Sequence, residues 1–214
     1  MPVFDLTIPI YHGIESFPGE PGGFFVPFAS IEEQGFLSHQ MLLYSHGGTH
    51  VDAPRHFLQG GGDVAAMPLD RLMGSAMVVD AVPRGRSVQL SDIQWPREPK
   101  SGDRILLRTG WGKHWGQTDY FSAFPNLEMD VVRYLAQQGI AVLGLDTPTP
   151  NDEDPRAVHE ILLGQQIILI EGLINLECIP TWEGVLICLP LPMVSLDGSP
   201  ARVVFVTDSD WMRG

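Results

Sequence analysis

Residues 45–57, SHGGTHVDAPRHF, contain three of the seven histidines of the chain together with one aspartate. The side chains that could carry chemistry here are His46, His50, Asp52 and His56. Imidazole and carboxylate groups bind metals and transfer protons, and proteins rarely use them to fill a core. Two adjacent glycines and a proline lie between them, and these residues interrupt both helices and strands. The segment therefore predicts a functional loop.

The spacing of these side chains requires a bend. In one extended strand, His46 and His50 would share a face but would lie about 13 Å apart at ~3.4 Å per residue. A metal needs its donor atoms only about 2 Å away. A turn at the two glycines would bring His46 back toward His50 and Asp52, and Pro54 would direct His56 into the same pocket. We therefore predict that His46, His50 and Asp52 bind a metal, the alternative being a polar surface loop rich in histidine.

Two more ionisable residues lie in apolar surroundings later in the chain. Glu171 interrupts the run QQIILIEGLINL, and His159 precedes it by twelve residues in a second apolar run. A buried carboxylate is strongly unfavourable unless it is paired or binds a metal. Each residue alone has an ordinary alternative, a strand-end glutamate facing solvent or a hydrogen-bonded core histidine. Together with the histidine segment, Glu171 and His159 are predicted to be the remaining metal ligands.

The number of donors indicates more than one metal. Three histidines and two carboxylates exceed what one tetrahedral zinc with an open position can use. They fit two metals about 3.5–4 Å apart, bridged by carboxylates. His56 is left over beside the cluster, and a neutral imidazole that titrates near neutral pH suits a proton shuttle. His12, His39 and His114 have no partners in sequence and are predicted to be ordinary polar residues.

The elements that must position these residues are mostly strands. Short runs rich in Val, Ile or Leu are bounded by Gly, Pro, Asp or Ser, as is typical of strands. They cover Val3–Ile10, His39–Tyr44, Ala76–Val82, Arg104–Arg108, Ile140–Leu145, Gln166–Leu173, Val185–Leu189 and Arg202–Thr207. Residues 96–104 and the proline-rich stretch 146–155 are predicted to be loops.

Two helices and a shorter one complete the pattern. The segment NLEMDVVRYLAQQG offers Asn126 as N-cap and Gly139 as its stop. In DPRAVHEILLG, Asp154 is the predicted N-cap, Pro155 the first helical residue and Gly164 the residue past the end. A short helix is predicted over Leu69–Met73. Many strands and few helices predict an α+β or mixed α/β fold, with residues 1–214 forming one domain around a substantial mixed sheet.

The bulk composition excludes several partners. A formal net charge of −13 and a pI of about 4.7 argue against nucleic acid and anionic membranes, which attract clustered Lys and Arg. The N-terminus lacks the pattern of a signal peptide, and the later apolar runs fall short of the ~20 residues that span a bilayer. We therefore expect a cytoplasmic protein. Cys178 and Cys188 lie in or beside apolar runs without a C-x-x-C pattern and are predicted to be reduced, buried thiols.

The chain also resembles a known family. HGGTHVDAPRHF is similar to the H-x-G-T-H-x-D-x-P-x-H signature of the cyclase family of metal-dependent hydrolases, which includes kynurenine formamidase and isatin hydrolase. Matching segments follow in family order along nearly the whole chain: FDLTIPI, FPGE, GDRILLRTGW, VLGLDTPTPND, HEILLGQQIILIEGLINLECIP and LPLPMVSLDGSPARVV. The resemblance implies an α/β domain of the swivelling β/β/α type and assembly into homodimers or larger homo-oligomers.

The resemblance also implies roles for individual residues. In the kynurenine formamidase branch, His46, His50 and Asp52 would hold one metal. His159 would hold a second, with Asp52 and Glu171 shared and His56 as the acid/base. These would be two zinc ions per chain, whereas the isatin hydrolase branch implies a single Mn²⁺ with Gln in place of the late Glu. Phe17 occupies the position of an aromatic residue that contacts the substrate, where formamidases often carry Trp, and its alternative is ordinary packing.

These observations together predict hydrolysis of an amide-type bond. A metal lowers the pKa of bound water from 15.7 toward ~7 and so supplies hydroxide near neutral pH. The expected substrate is a small molecule with an aromatic or cyclic amide, first of all N-formylkynurenine, cleaved to kynurenine and formate. Alternatives are a cyclic amide, imide or lactone opened by the same chemistry, and a metal-binding protein without catalysis. Carbon–carbon ring closure is suggested only by the family name.

Overall fold

A computed structural model describes residues 2–207 of the 214-residue chain. In this part of the chain the strands are β1 Val3–Asp5, β2 Phe24–Ala29, β3 Ser38–Leu42, β4 His50–Asp52, β5 Met73–Ala81, β6 Ser87–Val88, β7 Ile93–Gln94, β8 Arg104–Arg108, β9 Asn126–Leu127, β10 Val142–Leu145, β11 Ile168–Glu171, β12 Glu183–Pro190 and β13 Gly198–Val206. The helices are α1 Ile31–Gln34, α2 Leu69–Leu72, α3 Met129–Gln138 and α4 Pro155–Gly164.

Seven strands form a closed, mixed sheet. Their order is β13-β12-β5-β8-β10-β11-β4, and β4 pairs back with β13. The neighbours β5, β8, β10 and β11 run parallel to one another. The strands β12, β13 and β4 are each antiparallel to both of their neighbours in the ring. β1 and β7 attach outside this ring, to β13 and β5. The predicted mixed α/β fold with a substantial sheet and few helices is confirmed.

The parallel strands are buried on both faces, which explains why they read as continuous apolar runs. On β8, Leu106 belongs to one buried cluster, whereas its neighbours Ile105 and Leu107 belong to another. The second cluster includes the apolar stripes of α3 and α4, for example Val132 and Leu162. Helices α3 and α4 therefore cover one face of the sheet, and the residues of the first cluster, which include Leu72 of α2, fill its other face.

The helix ends agree only partly with the sequence. Gly139 ends α3 in the left-handed conformation as predicted, but the N-cap is Glu128. The prediction of Asn126 as N-cap is wrong because this residue pairs in β9, and its amide donates to Asp152 at 2.7 Å. Asp154 caps α4 as predicted by accepting from the Ala157 N–H at 3.3 Å. Gly164 is the last residue of this helix rather than the residue beyond it.

Several strand bounds also differ. The predicted strand Val3–Ile10 stops at Asp5, and the predicted strands at 39–44, 76–82, 140–145, 166–173, 185–189 and 202–207 are shifted by a few residues. The sequence missed β2, which pairs with β3 to form a hairpin, and it missed the short strand β4. A three-residue strand gives too little pattern for recognition from sequence.

The two cysteines are free thiols, but only Cys188 is buried. The prediction that Cys178 is buried is wrong, because it ends a short 3₁₀ turn at Leu176–Cys178 and faces outward. Within residues 2–207, none of the helices has the length and apolar character needed to cross a membrane.

Candidate metal centre and active site

The histidine segment bends at the glycine pair. The Gly47 N–H donates to the Tyr44 carbonyl at 3.1 Å, and Gly48 adopts a φ of +67°, which favours glycine. The chain then enters β4, whose three residues are all buried and lie between β11 and β13. A 3₁₀ turn over Pro54–His56 follows. The bend and the proline-directed exit agree with the geometry expected from the sequence.

The closed sheet brings the predicted ligands together. β4 carries His50 and Asp52, and β11 ends at Glu171, which lies directly opposite His50 in the antiparallel pair. His159 reaches the same place from the middle of α4. His50, Asp52, His159 and Glu171 are each at most 4 % exposed, so the cluster is almost closed to solvent.

Each carboxylate directs its two oxygens to different histidines. Asp52 Oδ1 lies 2.8 Å from His46 Nδ1 and 3.5 Å from His50 Nε2, whereas Asp52 Oδ2 lies 3.6 Å from His159 Nε2. Glu171 Oε2 lies 3.4 Å from His50 Nε2, and Glu171 Oε1 lies 3.4 Å from His159 Nε2. The two carboxylates thus link a group formed by His46 and His50 to a second position at His159.

The outer nitrogen of each of these histidines has its own acceptor. His50 Nδ1 faces the Gly48 carbonyl at 3.0 Å, and His159 Nδ1 faces the Pro155 carbonyl at 2.6 Å. His46 Nε2 faces Asp197 Oδ2 at 2.9 Å. Because these oxygens only accept, the outer nitrogens carry the proton. In each ring the nitrogen that faces the carboxylates is then the one that can bind a metal once it has lost its proton, as is usual for ligating histidines.

The donor set fits a divalent metal. Within the described residues, His50 Nε2 and Asp52 Oδ2 are buried without a hydrogen-bond partner. Leaving a buried polar atom unpaired costs about 1–3 kcal/mol, and more for a charged group. Imidazole nitrogens and carboxylate oxygens are the donors that zinc and other first-row metals use. A metal between these atoms would satisfy the unpaired atoms and neutralise the two buried carboxylates.

The charges of the cluster are strongly coupled. Burial by itself would lower the pKa of His50 and His159, but the nearby carboxylates of Asp52 and Glu171 outweigh it and raise both pKa values to about 10. Burial would raise the pKa of Asp52, yet the surrounding histidines hold it well below its usual range. In the absence of a metal, protons therefore supply the positive charge that the two carboxylates attract.

His56 lies at the edge of the cluster. Its ring is 4.0 Å from that of His46 between centroids, and its Nδ1 is 3.4 Å from Asp197 Oδ2. Its side chain is 26 % exposed, more than that of the buried ligands. Burial lowers the pKa of His56, and the nearby His46 and His159 lower it further, against the opposing charge of Asp52. His56 is therefore a neutral imidazole near pH 7, in contact with both the cluster and the adjoining cavity.

A cavity of about 190 Å³ opens above the cluster. His46, His50, His56, His159 and Glu171 line its floor. Its walls are largely aromatic and include Phe17, Phe57, Trp115, Tyr120 and Phe121. A buried cavity of about 150 Å³ already admits benzene, so an aromatic ring fits here. Phe17 lies in the wall as the sequence suggested, with its ring 5.9 Å from that of Phe121.

The sequence missed other residues of the site. Asp197 contacts two of the histidines, and its only signal was its place in the DGSP segment. Tyr120 lines the cavity with a buried hydroxyl that has no partner among the described residues, and nothing in the sequence distinguished it. His12, His39 and His114 lie outside the cluster and do not line the cavity.

Comparisons with known proteins identify a family for the chain. The family model "Cyclase", described as "Putative cyclase", matches residues 4–152. A kynurenine formamidase of Bacillus cereus is 30 % identical over 203 residues, covering 94 % of this chain and 95 % of the relative. A kynurenine formamidase of Erythrobacter litoralis is 30 % identical over 205 residues, covering 94 % and 92 %.

Solved structures show the same fold. A potential metal-dependent hydrolase with cyclase activity superposes with a TM-score of 0.81 at 27 % identity, over 97 % of this chain and 98 % of the other. Isatin hydrolase A from Labrenzia aggregata superposes with a TM-score of 0.81 at 24 % identity, over 97 % and 94 %, which supports the fold alone.

Proposed function

The chain belongs to the cyclase family of metal-dependent hydrolases, which act on carbon–nitrogen bonds other than peptide bonds, and on this basis we propose that it is an arylformamidase. The proposed substrate is N-formylkynurenine, which would yield kynurenine and formate. The observation that carries this proposal is the pair of buried carboxylates, Asp52 and Glu171, which each face histidines on two sides. Similarity to the kynurenine formamidases over most of the chain supports the choice of substrate.

We propose two zinc ions per chain. His46, His50 and Asp52 would hold one, and His159 would hold the other, with Asp52 and Glu171 shared between them. Mn²⁺ is the alternative. When bound, such ions lower the pKa of a coordinated water and polarise a carbonyl group.

His56 would supply the proton transfers. Its Nδ1 lies near the Asp197 carboxylate, which leaves Nε2 for proton exchange with the reacting groups. A neutral imidazole can first accept a proton from the attacking water and then donate one to the leaving nitrogen. The lowered pKa of His56, which follows chiefly from its burial, keeps the ring in the neutral form required for the first step.

The aromatic walls of the cavity would bind the aryl group. Phe17 and Trp115 lie on the same side as Phe121, whose ring contacts both of theirs edge to face at 5.9 Å and 6.2 Å between centroids. Rings held in such edge-to-face sets offer apolar area with a fixed orientation. Phe17 is therefore the proposed substrate contact, and it would hold the substrate ring while the amide faces the histidine cluster.

A second candidate substrate is a cyclic amide of the isatin type. Among the residues that line the cavity in the described part of the chain there is no Lys or Arg, while Glu15, Glu20 and Asp152 lie in its walls. N-formylkynurenine is an α-amino acid with both a carboxylate and an ammonium group, and these walls offer no cation to its carboxylate, whereas isatin is neutral and needs none. The isatin hydrolases among the solved structures share this fold.

We also propose that the chain forms a homodimer or a larger homo-oligomer. The β2–β3 hairpin with the adjoining α1 exposes a group of large apolar side chains: Phe28 at 69 %, Ile31 at 68 %, Met41 at 65 % and Leu42 at 66 %. Adjacent strand residues point to opposite sides, so Met41 and Leu42 expose both faces of the hairpin, and a large exposed apolar area on one element often marks an interface. The occupant proposed here is the same surface of a second copy, which would bury both hairpins by two-fold symmetry.

The deciding experiment measures hydrolysis by protein stripped of metal and then titrated with Zn²⁺ or Mn²⁺. Activity on N-formylkynurenine that saturates near two metals per chain supports the proposal in full. Activity on isatin or small lactones alone would replace the substrate but keep the hydrolase. Tight metal uptake without hydrolysis of any of these compounds would favour a metal-binding protein without catalysis.

A further inference from the structure

Asp197 joins the metal cluster to the proposed proton shuttle. One of its oxygens, Oδ2, accepts from His46 Nε2 at 2.9 Å and lies 3.4 Å from His56 Nδ1. The rings of the two histidines lie nearly face to face, at 4.0 Å between centroids and 30° between planes. A single carboxylate oxygen therefore faces both a proposed metal ligand and the proposed acid/base.

The fold holds this carboxylate at the histidines. The Asp197 carbonyl accepts from the Ala53 N–H at 2.8 Å, at the end of the histidine-bearing strand β4. The next residue, Gly198, pairs with Asp52 at the start of β13. A Cβ atom at Gly198 would lie 2.6 Å from His46 Cε1, so only glycine lets this backbone come so close to the imidazole ring. The pairing of β13 with β4 thus sets the position of Asp197.

We infer that Asp197 is a positioning residue that orients both His46 and His56. This inference rests on the metal site and the hydrolytic function proposed above. Toward His46, it fixes the tautomer with the proton on Nε2 and leaves Nδ1 facing Asp52. Toward His56, it holds Nδ1 and so directs Nε2 to the reacting groups. Asp197 does not line the cavity, so its role lies in orienting the two rings rather than in contacting substrate.

Asp63 offers a matched control, because it hydrogen-bonds to the turn at Ser195 that precedes Asp197. Asp63 accepts from the Ser195 N–H at 2.6 Å and from the Ala66 N–H at 3.0 Å. It therefore stabilises the turn that precedes Asp197, and it does not belong to the cluster of His, Asp and Glu side chains around Asp52. Truncation of Asp63 tests the effect of loosening this turn, and truncation of Asp197 tests the effect of losing the carboxylate at the histidines.

The experiment compares Asp197→Ala with Asp63→Ala in the full chain. The measurements are the zinc dissociation constant by chelator competition, the melting temperature, and kcat and KM on whichever of N-formylkynurenine and isatin the natural enzyme hydrolyses. For Asp197→Ala we expect about 10- to 100-fold weaker zinc binding, as is usual when the partner of a ligating histidine is removed. With zinc saturating, kcat should fall by about 10- to 100-fold while KM changes less than about 2-fold. Asp63→Ala should lower the melting temperature and leave zinc binding and kcat near the natural values.

Three results would overturn the inference. The first is a zinc affinity and a kcat of Asp197→Ala that equal those of the natural protein. The second is equal loss of zinc affinity in both variants, which would reduce the effect to loosening of the turn. The third is a change confined to KM, which would make Asp197 a substrate contact. If the natural protein hydrolyses neither compound, the proposed function fails, but the zinc measurement still decides whether Asp197 orients His46.

Discussion

Metal binding should displace protons from the site, because the metal-free cluster holds them on His50 and His159. Burial would lower the pKa of both imidazoles, but Asp52 and Glu171 raise the values to about 10. At pH 7 both rings are therefore protonated without metal, whereas a ligating nitrogen must be free of its proton. Each pKa lies about three units above pH 7, so each displaced proton weakens the apparent metal affinity by on the order of 10³-fold, or ~4 kcal/mol.

The number of protons released on zinc binding can be measured by calorimetry. Zinc is titrated into metal-free protein at pH 7 in buffers with different ionisation enthalpies, and the slope of the observed enthalpy gives the number of protons released. We expect about two protons from the imidazoles when both ions bind, in addition to any lost from coordinated water. Between pH 7 and pH 8, the combined affinity for two ions should rise about 100-fold.

A variant of Glu171 tests whether the carboxylates hold these protons on the two histidines. Glu171→Gln removes one of the two charges that hold these protons, so it should lower the number released per ion and also weaken zinc binding. Replacement of the exposed His39 should change neither quantity. Full binding of two zinc ions with less than one proton released would refute the reasoning, because neutral imidazoles in the metal-free site contradict the coupling between the histidines and the carboxylates.

Four further predictions follow from the same geometry. His56→Ala should lower kcat by about 10²- to 10⁴-fold with a normal zinc content by atomic absorption, and loss of zinc in this variant would make His56 a ligand instead. Phe17→Ala should raise KM about 2- to 10-fold through loss of an aromatic wall, and an unchanged KM would leave only a packing role for this ring. In the metal-free protein, the raised pKa values of His50 and His159 contribute stability that is complete below the unfolded value of about 6.5 and is lost as pH rises through about 10. Its melting temperature should therefore fall between pH 6.5 and pH 10, and a flat profile over this interval would contradict the assignment. The double variant Phe28→Ser, Met41→Ser should yield monomers by light scattering, and a natural protein that is already monomeric would exclude the proposed interface.

The sequence predicted the parts of the fold that have strong local patterns. The buried strands at 104–108 and 142–145 are apolar on both faces, and α4 has clear N-terminal signals in Asp154 and Pro155. Short elements were harder to recognise, because β4 and β9 have only three and two residues. Asn126 was misassigned as a cap since Asn serves equally well in a turn or a short bridge, and tertiary pairing with β6 decides between them.

The candidate site also has parts that local sequence predicts and parts that depend on tertiary pairing. The spacing of the histidine segment was enough to predict a bend, because a straight strand would hold His46 and His50 too far apart. Glu171 and His159 were predicted as ligands because each is ionisable within an apolar run, although their convergence with this segment depends on the pairing of β11 with β4. Asp197 was missed because no such local signal marks it, and its contact with His46 joins residues 151 positions apart. The hydroxyl of Tyr120 could be recognised only once its burial was known.

The position of β4 explains why the site and the sheet depend on each other. This strand has three residues, and it joins β11 on one side to β13 on the other, so it closes the ring of seven strands. Two of its three residues, His50 and Asp52, face the candidate metal site, and the third, Val51, is fully buried in the core. Closure of the ring therefore brings Glu171 and Asp197 to β4 from opposite sides, because β11 and β13 pair with its two edges. A positive charge at the cluster in turn stabilises the closing strand, because two carboxylates would otherwise be buried side by side. The same three residues thus complete the sheet and assemble the site. A change that separates β4 from its neighbours must therefore also weaken the site, and a change that disrupts the site must weaken the closure of the sheet.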